Sequence, residues 1–260
     1  MEFEFQKYHG TGNDFILIND KSEKFPLHNS DRIRFLCDRK FGIGADGLII
    51  IRNHDKFDFE MFYFNSDGMQ GSLCGNGSRC ALAFGINNNL FKNKVVFKAI
   101  DGIHTAKAES NNIFSLSFKD VKTIKRDKNA LFLDTGSPHY VELVESIDDI
   151  NVRAKGSLIR NSNRYKNNGV NVNFFKIIGP DKIKIRTYER GVEDETLSCG
   201  TGAVASSIAF HFLQLTKFDK LKVETPGGTL AVEFKFNSGI YKDIYLKGPA
   251  EKVFSGKIKW

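Results

Sequence analysis

One short pattern occurs twice in this 260-residue chain. Cys74-Gly75-Asn76-Gly77 returns 125 residues later as Cys199-Gly200-Thr201-Gly202. Each copy follows a polar loop and leads into a run of small or apolar residues, Ser78 to Phe84 in the first and Ala203 to Phe210 in the second. The repeat is wider than the cysteines. Thr11-Gly12 lies 124 residues before Thr135-Gly136, and Gly102 lies 126 before Gly228. Three landmarks in one order at nearly one offset predict an internal duplication into two similar, pseudo-symmetric α+β domains.

The two runs are apolar almost all round. A helix of that kind is buried on every side rather than along one stripe. A curved β-sheet or barrel around a central small-residue helix meets that demand, and glycine and alanine let the strands approach closely. The charged, weakly patterned segment 119–129 marks the boundary. It gives an N-terminal domain of residues 1–119, joined by a C-terminal strand at 250–260, and a second domain of residues 120–249. Asp101-Gly102 and Pro226-Gly227-Gly228 read as hairpin turns. Ser30 reads as the N-cap of a helix over 31–39, residues 147–160 read as helical, and 189–198 as a loop.

Composition narrows the function classes. With 41% hydrophobic and 27% charged residues the chain buries a core and is not disordered. No apolar run reaches the roughly 18 residues of a membrane span, and the start lacks the layout of a signal peptide. A cytoplasmic location with reduced thiols is expected. The net charge is +7, but the Lys and Arg residues are scattered with Asp or Glu nearby, so no nucleic-acid partner is expected. None of the four cysteines forms a C-x-x-C pair, so no zinc or thioredoxin-like site is indicated. Cys37 and Cys80 fall on apolar helical faces and read as small buried hydrophobes.

Cys74 and Cys199 carry more. A helix start offers unpaired N–H groups and partial positive charge. It lowers the pKa of a nearby thiol and binds a carboxylate. Each half therefore pairs one acid/base group with one carboxylate cradle. Gly-x-Gly alone also serves tight packing, but two copies each preceded by Cys point beyond packing. If both act on one substrate, the thiols flank one carbon. That arrangement suits inversion of a stereocentre: one thiolate removes a proton from one face, the other thiol delivers one to the opposite face, and helix-start donors stabilise the carbanion. A nucleophilic thiol enzyme would need one Cys with a His, such as His139 or His9, and leaves the second Cys unexplained. A Cys74–Cys199 disulfide would be an inactivating hazard.

The residues together resemble the diaminopimelate epimerase family. The matching pieces are His9-Gly10-Thr11-Gly12-Asn13-Asp14-Phe15, Gly42-Ile43-Gly44, Phe64-Asn65-Ser66-Asp67-Gly68, Cys74-Gly75-Asn76-Gly77-Ser78-Arg79-Cys80, Val170-Asn171, Tyr188-Glu189-Arg190-Gly191 and Cys199-Gly200-Thr201-Gly202-Ala203. The resemblance implies interconversion of LL- and meso-2,6-diaminopimelate, a small diamino dicarboxylate, for lysine and peptidoglycan precursors. It implies no cofactor, no metal and a homodimer. Carried over residue by residue, Cys199 is the proton acceptor and Cys74 the proton donor for the LL form. Gly75, Asn76, Gly200 and Thr201 cradle the reacting carboxylate. Asn13, Asn65, Asn171 and Arg190 hold the substrate, and His139 and Glu189 tune the thiols and touch the reacting centre.

Read without the family, Asn13 and Asn65 also suit turns, and Glu189-Arg190 also suits a surface ion pair. Two positions depart from the pattern. Ser137 stands where some members carry Asn, and Gly47 where some carry Gln. The alternatives are a related two-cysteine racemase or epimerase of another amino acid, such as proline or hydroxyproline, and, from another class, a non-catalytic basic protein binding anions or nucleic acid.

Overall fold

The computed structural model describes residues 2–71, 73–110, 112–127 and 129–259. Met1 and Trp260, the outer residues of the two expected terminal strands, lie outside the described residues. The chain forms two compact units, Met1–Leu116 with Gly248–Trp260, and Ser117–Lys247.

In the first unit, β1 (Glu2–Gly10) and β2 (Asn13–Asn19) precede α1 (Ser30–Cys37), β3 (Gly47–Arg52) and β4 (Phe59–Asn65). Then come α2 (Gly75–Asn87), β5 (Lys94–Ala99), β6 (Gly102–Ser110) and β7 (Ile113–Phe118). The second unit holds β8 (Ile124–Asp127), β9 (Ala130–Asp134), β10 (Pro138–Leu143), α3 (Val152–Arg160), β11 (Asn171–Gly179) and β12 (Lys182–Glu189). It continues through β13 (Asp194–Thr196), α4 (Gly200–Phe212), β14 (Lys220–Thr225), β15 (Gly228–Asn237) and β16 (Ile240–Pro249), after which β17 (Glu251–Lys259) belongs to the first unit.

The duplication holds strand by strand. From β1 to β6 the neighbours pair antiparallel, parallel, antiparallel, parallel and antiparallel. From β9 through β10, β11, β12 and β14 to β15 the senses are the same. β17 adds to β1 as β8 adds to β9, both antiparallel. The parallel pairs require crossovers, which α1 and α2 make in one unit and α3 and α4 in the other. The hairpin glycines Gly102 and Gly228 take φ of 132° and 141°, a region that L-residues with a Cβ avoid.

α2 and α4 are both 13 residues long. α2 is buried from Gly75 through Gly85, and α4 at Gly200 and from Gly202 through Phe210. α2 packs on β1, β2 and β3 and also on β6 and β17, so the sheet curls round it. Around α4 the core gathers Leu131, Leu133, Val141, Phe175, Ile183, Ile185 and Val223. At about 1.5–3 kcal/mol for each large apolar side chain buried, this packing is the main driving force for each unit. The α+β architecture with a central helix in each unit is as expected.

Local details differ from the sequence expectation. The N-cap of α1 is Asn29 rather than Ser30, because the Asn29 side chain accepts from Arg32 N. α3 starts only at Val152, capped by Asn151, whose side chain accepts from Ala154 N. The segment read as a loop over 189–198 contains β13, which pairs back on β12 and is tied by Thr196 Oγ1 donating to Glu189 Oε2 at 3.0 Å. β8 lies inside the segment read as featureless. Its Asp127 is held by Arg164 at 2.9 Å and by the Tyr165 hydroxyl.

Gly156 sets the seat of α3 on β12. A Cβ there would lie 2.4 Å from Tyr188 Cβ. Gly156→Ala gains up to about 1 kcal/mol of helix propensity, but the clash is with an atom fixed to the buried backbone. The variant is expected to lose about 1–3 kcal/mol of stability by overpacking, read from urea unfolding midpoints.

Candidate active site

Cys74 is the N-cap residue of α2, with extended backbone (φ −99°, ψ 116°), and its Sγ accepts from Gly77 N at 3.4 Å. An N–H directed at sulfur favours the thiolate. The same sulfur lies 3.7 Å from Asn13 Oδ1, an acceptor for S–H. Asn13 Oδ1 also accepts from Asn76 Nδ2 at 3.2 Å, and Asn13 Nδ2 donates to Asp46 Oδ2 at 2.6 Å. Asp46 is tied to Arg39 at 2.8 Å, and Arg39 to Asp14 at 2.7 Å. Asn13 is thus not spent on its own turn: its amide points at the start of α2 and is oriented by a carboxylate behind it.

Asn65 ends β4. Its backbone carbonyl closes the turn by accepting from Gly68 N at 2.9 Å, and its side-chain Oδ1 accepts from the Tyr63 hydroxyl at 2.8 Å. The Tyr63 ring explains Gly47. A Cβ at Gly47 would lie 2.6 Å from Tyr63 Cε2 and 2.5 Å from Phe64 O, so a longer side chain has no room on this backbone. Sequence reasoning missed Tyr63, since nothing in the chain order links it to Gly47.

Cys199 holds the matching place at α4 (φ −119°, ψ 110°) and is buried. Its Sγ lies 3.4 Å from Thr201 Oγ1, and Thr201 O accepts from Thr135 Oγ1 at 2.9 Å. The second glycine of each motif is needed for close approach. A Cβ at Gly77 would meet Ile49 Cδ1 at 2.9 Å, and one at Gly202 would meet Asn173 Oδ1 at 2.3 Å.

Behind Cys199 in the second unit stands a polar core. His139 is fully buried, and Asn173 Nδ2 lies 2.9 Å from its Nδ1. Asn173 Oδ1 accepts from Thr187 Oγ1 at 2.9 Å, which leaves the amide nitrogen to donate to Nδ1. The His139 proton therefore sits on Nε2, which is buried without a hydrogen-bond partner among the described residues. Burial, with the Arg190 charge adding to it, pushes the His139 pKa down to about 3. Asn171 Oδ1 accepts from Arg190 N at 2.9 Å, and Asn171 Nδ2 donates to Ser137 Oγ at 2.8 Å. Arg190 Nη2 reaches the same hydroxyl at 3.4 Å, and its Nη1 donates to Asn168 O at 2.8 Å. Ser137, Asn171 and Arg190 thus form one cluster, while Glu189 accepts from Thr196.

The remaining cysteines differ in kind. Cys37 and Cys80 are buried, and burial pushes both thiols up, Cys37 to about 12. Neither ionises near neutral pH.

Known proteins resemble this chain over nearly its full length. The profile of the family described as diaminopimelate epimerase matches residues 5–115 and 131–253. A diaminopimelate epimerase of Flavobacterium psychrophilum is 48% identical over 252 residues, covering 97% of this chain and 98% of its own. One of Aquifex aeolicus is 39% identical over 274 residues, covering 98% and 97%. Among solved structures, a phenazine biosynthesis protein of the PhzF family from Bacillus anthracis has a TM-score of 0.79 at 12% identity over the whole of both chains. A hydroxyproline epimerase from Agrobacterium vitis, with bound trans-4-OH-L-proline, has a TM-score of 0.71 at 14% identity, covering 99% of this chain and 92% of its own. At these identities the likeness is one of fold.

The buried, neutral His139 has a consequence for stability. Once unfolded it takes a proton below its ordinary value of 6.5, whereas folded it stays neutral down to about 3. The unfolded state then binds more protons, so its contribution to stability is present above pH 6.5 and is lost as pH falls, at up to about 1.4 kcal/mol per unit. Urea midpoints at pH 7 and pH 5 are expected to show a larger loss for the wild type than for His139→Gln.

Proposed function

The chain belongs to the diaminopimelate epimerase family and is an amino-acid isomerase, and on that premise we propose that it interconverts LL- and meso-2,6-diaminopimelate by two-cysteine acid/base chemistry. The observation that carries the reading is the pair of thiols at matching helix starts, each in the N-cap position of a buried 13-residue helix. Cys199 takes the α-proton of the LL form as a thiolate, and Cys74 as a thiol gives a proton to the opposite face of the same carbon. One proton is taken up and one given, so no net proton is consumed, and the reverse direction exchanges the roles and restores both thiols.

Helix-start N–H groups from Gly75, Asn76, Gly200 and Thr201 bind the reacting carboxylate and stabilise the charge that develops beside it. His139 and Glu189 complete the surroundings of the reacting centre, with His139 offering its Nε2 proton as a donor. Asn13, Asn65, Asn171 and Arg190 hold the substrate, chiefly its distal amino-acid end. Ser137, bonded to Asn171, and Tyr63, bonded to Asn65, support two of these four. The domains in this reading are residues 1–119 with the strand at 250–260, and residues 120–249. The enzyme works without cofactor or metal in the cytoplasm, as a homodimer, and serves lysine and peptidoglycan precursor synthesis.

The test is exchange of the α-proton of LL-diaminopimelate for deuterium in heavy water by the reduced protein, with proline and hydroxyproline as comparison substrates. Exchange with LL-diaminopimelate is expected, and its absence in folded, reduced protein would sink the reading. Exchange with proline or hydroxyproline alone would instead favour the related racemase. Cys74→Ala and Cys199→Ala are each expected to lower turnover by about 10²–10⁴-fold, while Cys37→Ala leaves it near wild type. Tyr63→Phe frees the Asn65 amide and is expected to raise KM roughly three- to tenfold, the effect of one lost hydrogen bond, with kcat little changed.

A further inference from the structure

The duplication breaks at one buried position. Five residues after Cys74 stands Arg79, and five after Cys199 stands Val204. Val204 is an ordinary core residue of α4. Arg79 is the largest fully buried side chain among the described residues, with an exposure of 0%. Burying a charge is costly unless it is well bonded. Yet no carboxylate pairs with Arg79 among the described residues. Among the described residues its guanidinium donates to neutral acceptors: Asn76 Oδ1 at 2.9 Å, Gly75 O at 3.3 Å, Pro249 O at 3.3 Å and Thr11 Oγ1 at 3.5 Å. Two of these lie in the Cys-Gly-Asn-Gly motif itself.

The contact with Asn76 has a direction. A guanidinium has donors and no acceptor, so Asn76 must turn its oxygen to Arg79. Its nitrogen is then left to donate to Asn13 Oδ1 at 3.2 Å. At the other end Asp46 has only acceptors to offer Asn13 and takes its nitrogen at 2.6 Å. A cation at one end and a carboxylate at the other thus set the orientation of both amides. The oxygen on which they converge is the one 3.7 Å from Cys74 Sγ. In the second unit the corresponding links are hydroxyls, Thr135 Oγ1 to Thr201 O and Thr201 Oγ1 to Cys199 Sγ, and a hydroxyl can turn to donate or accept.

We propose that Arg79 is a positioning residue for Cys74, fixing through Asn76 and Asn13 the polarity of the hydrogen-bond chain that ends on that sulfur, and doing so for one of the two thiols only. The proposal rests on the reading of Cys74 as an acid/base group. Two effects of Arg79 act in the same direction. Its charge favours the ionised sulfur: burial pulls the guanidinium below its ordinary range, and negative charge on Cys80 or Cys74 opposes that pull. By holding the Asn76 nitrogen on Asn13 Oδ1, it also weakens that oxygen as an acceptor for S–H. Loss of Arg79 therefore leaves Cys74 more firmly protonated.

Several other titratable groups on the strands packed against α2 have partners of their own. Lys7 pairs with Asp14 at 2.8 Å, His104 with Asp101 at 2.9 Å, and His9 lies 3.9 Å from Glu251. Tyr8 accepts from Asn87, and burial raises both Tyr8 and Cys80.

The test is the rate of iodoacetamide alkylation of the reduced, substrate-free protein against pH, resolved for Cys74 and Cys199 by peptide mass spectrometry. Arg79→Met keeps an apolar side chain of similar length where the duplicate carries Val204. Near pH 7 it is expected to slow Cys74 alkylation about tenfold, equivalent to a rise of about one pKa unit, with Cys199 within about twofold of wild type. Asn76→Ala keeps the charge, breaks the chain and is expected to slow Cys74 by about threefold, a fraction of the full effect. Arg79→Lys, which keeps the charge without the fork, is expected to fall between Arg79→Met and wild type.

An unchanged Cys74 profile in Asn76→Ala and Arg79→Lys would overturn the proposal. So would equal shifts at Cys74 and Cys199, which a general loosening of the fold would give. These two variants decide the matter even where Arg79→Met does not fold. Deuterium exchange on LL-diaminopimelate is measured in parallel. Wild-type protein that alkylates as expected but exchanges nothing would remove the proposed function and leave the placement of Arg79 standing.

Discussion

A helix buried on every side can offer chemistry only at its ends. That constraint governs both units of this protein. α2 and α4 are enclosed by strands along their length, so their side chains do packing and their first turns are the places where unpaired N–H groups remain. Small residues are needed for the enclosure, and the second glycine of each motif is one place where a neighbour closes on the helix. Any side chain at Gly77 would meet Ile49, and any at Gly202 would meet Asn173. The thiols sit at the N-cap positions, beside the first turn and outside the enclosed length of each helix, where Cys74 Sγ accepts from Gly77 N and Cys199 Sγ lies against Thr201 Oγ1.

The family and the double architecture were legible in the sequence because they are carried by local, repeated signals: a cysteine, a Gly-x-Gly, an apolar run and a hairpin glycine. The strand senses then follow, since short hairpins make antiparallel neighbours and helical crossovers make parallel ones. What escaped was non-local or depended on competition between neighbours. Asn29 and Ser30 are both good caps, and only the observed fold chooses Asn29. β8 and β13 are short strands without alternation, made by pairing with longer partners.

The two departures from the family pattern show the same limit. Gly47 and Ser137 look in the sequence like side chains lost or shortened. In the fold the space at Gly47 is filled from the neighbouring strand by the Tyr63 ring, whose hydroxyl bonds Asn65. Ser137 is short but central, touching both Asn171 and Arg190. A residue-by-residue comparison registers a loss at one position and cannot see a neighbour that takes its space. Of the residues singled out from the sequence, Cys74, Asn13 and Asn76 are joined by hydrogen bonds in one unit, and Asn171 and Arg190 in the other. Tyr63, Asp46 and Asn173, which help orient them, carried no signal of their own, and Arg79 stood in a matched motif without a role that the sequence alone could give it.

Duplication supplies two copies of a helix start, but the two-thiol reaction proposed above requires that one thiol be ionised while the other is protonated. Two identical surroundings would leave that difference to the substrate alone. The surroundings here are not identical. One sulfur lies at the end of an amide chain held between a cation and a carboxylate, and the other beside a hydroxyl that can reverse its bond. Amides cannot exchange donor for acceptor without rotating, and charged ends oppose the rotation. Hydroxyls do so at little cost. The first arrangement biases a protonation state, and the second accommodates either.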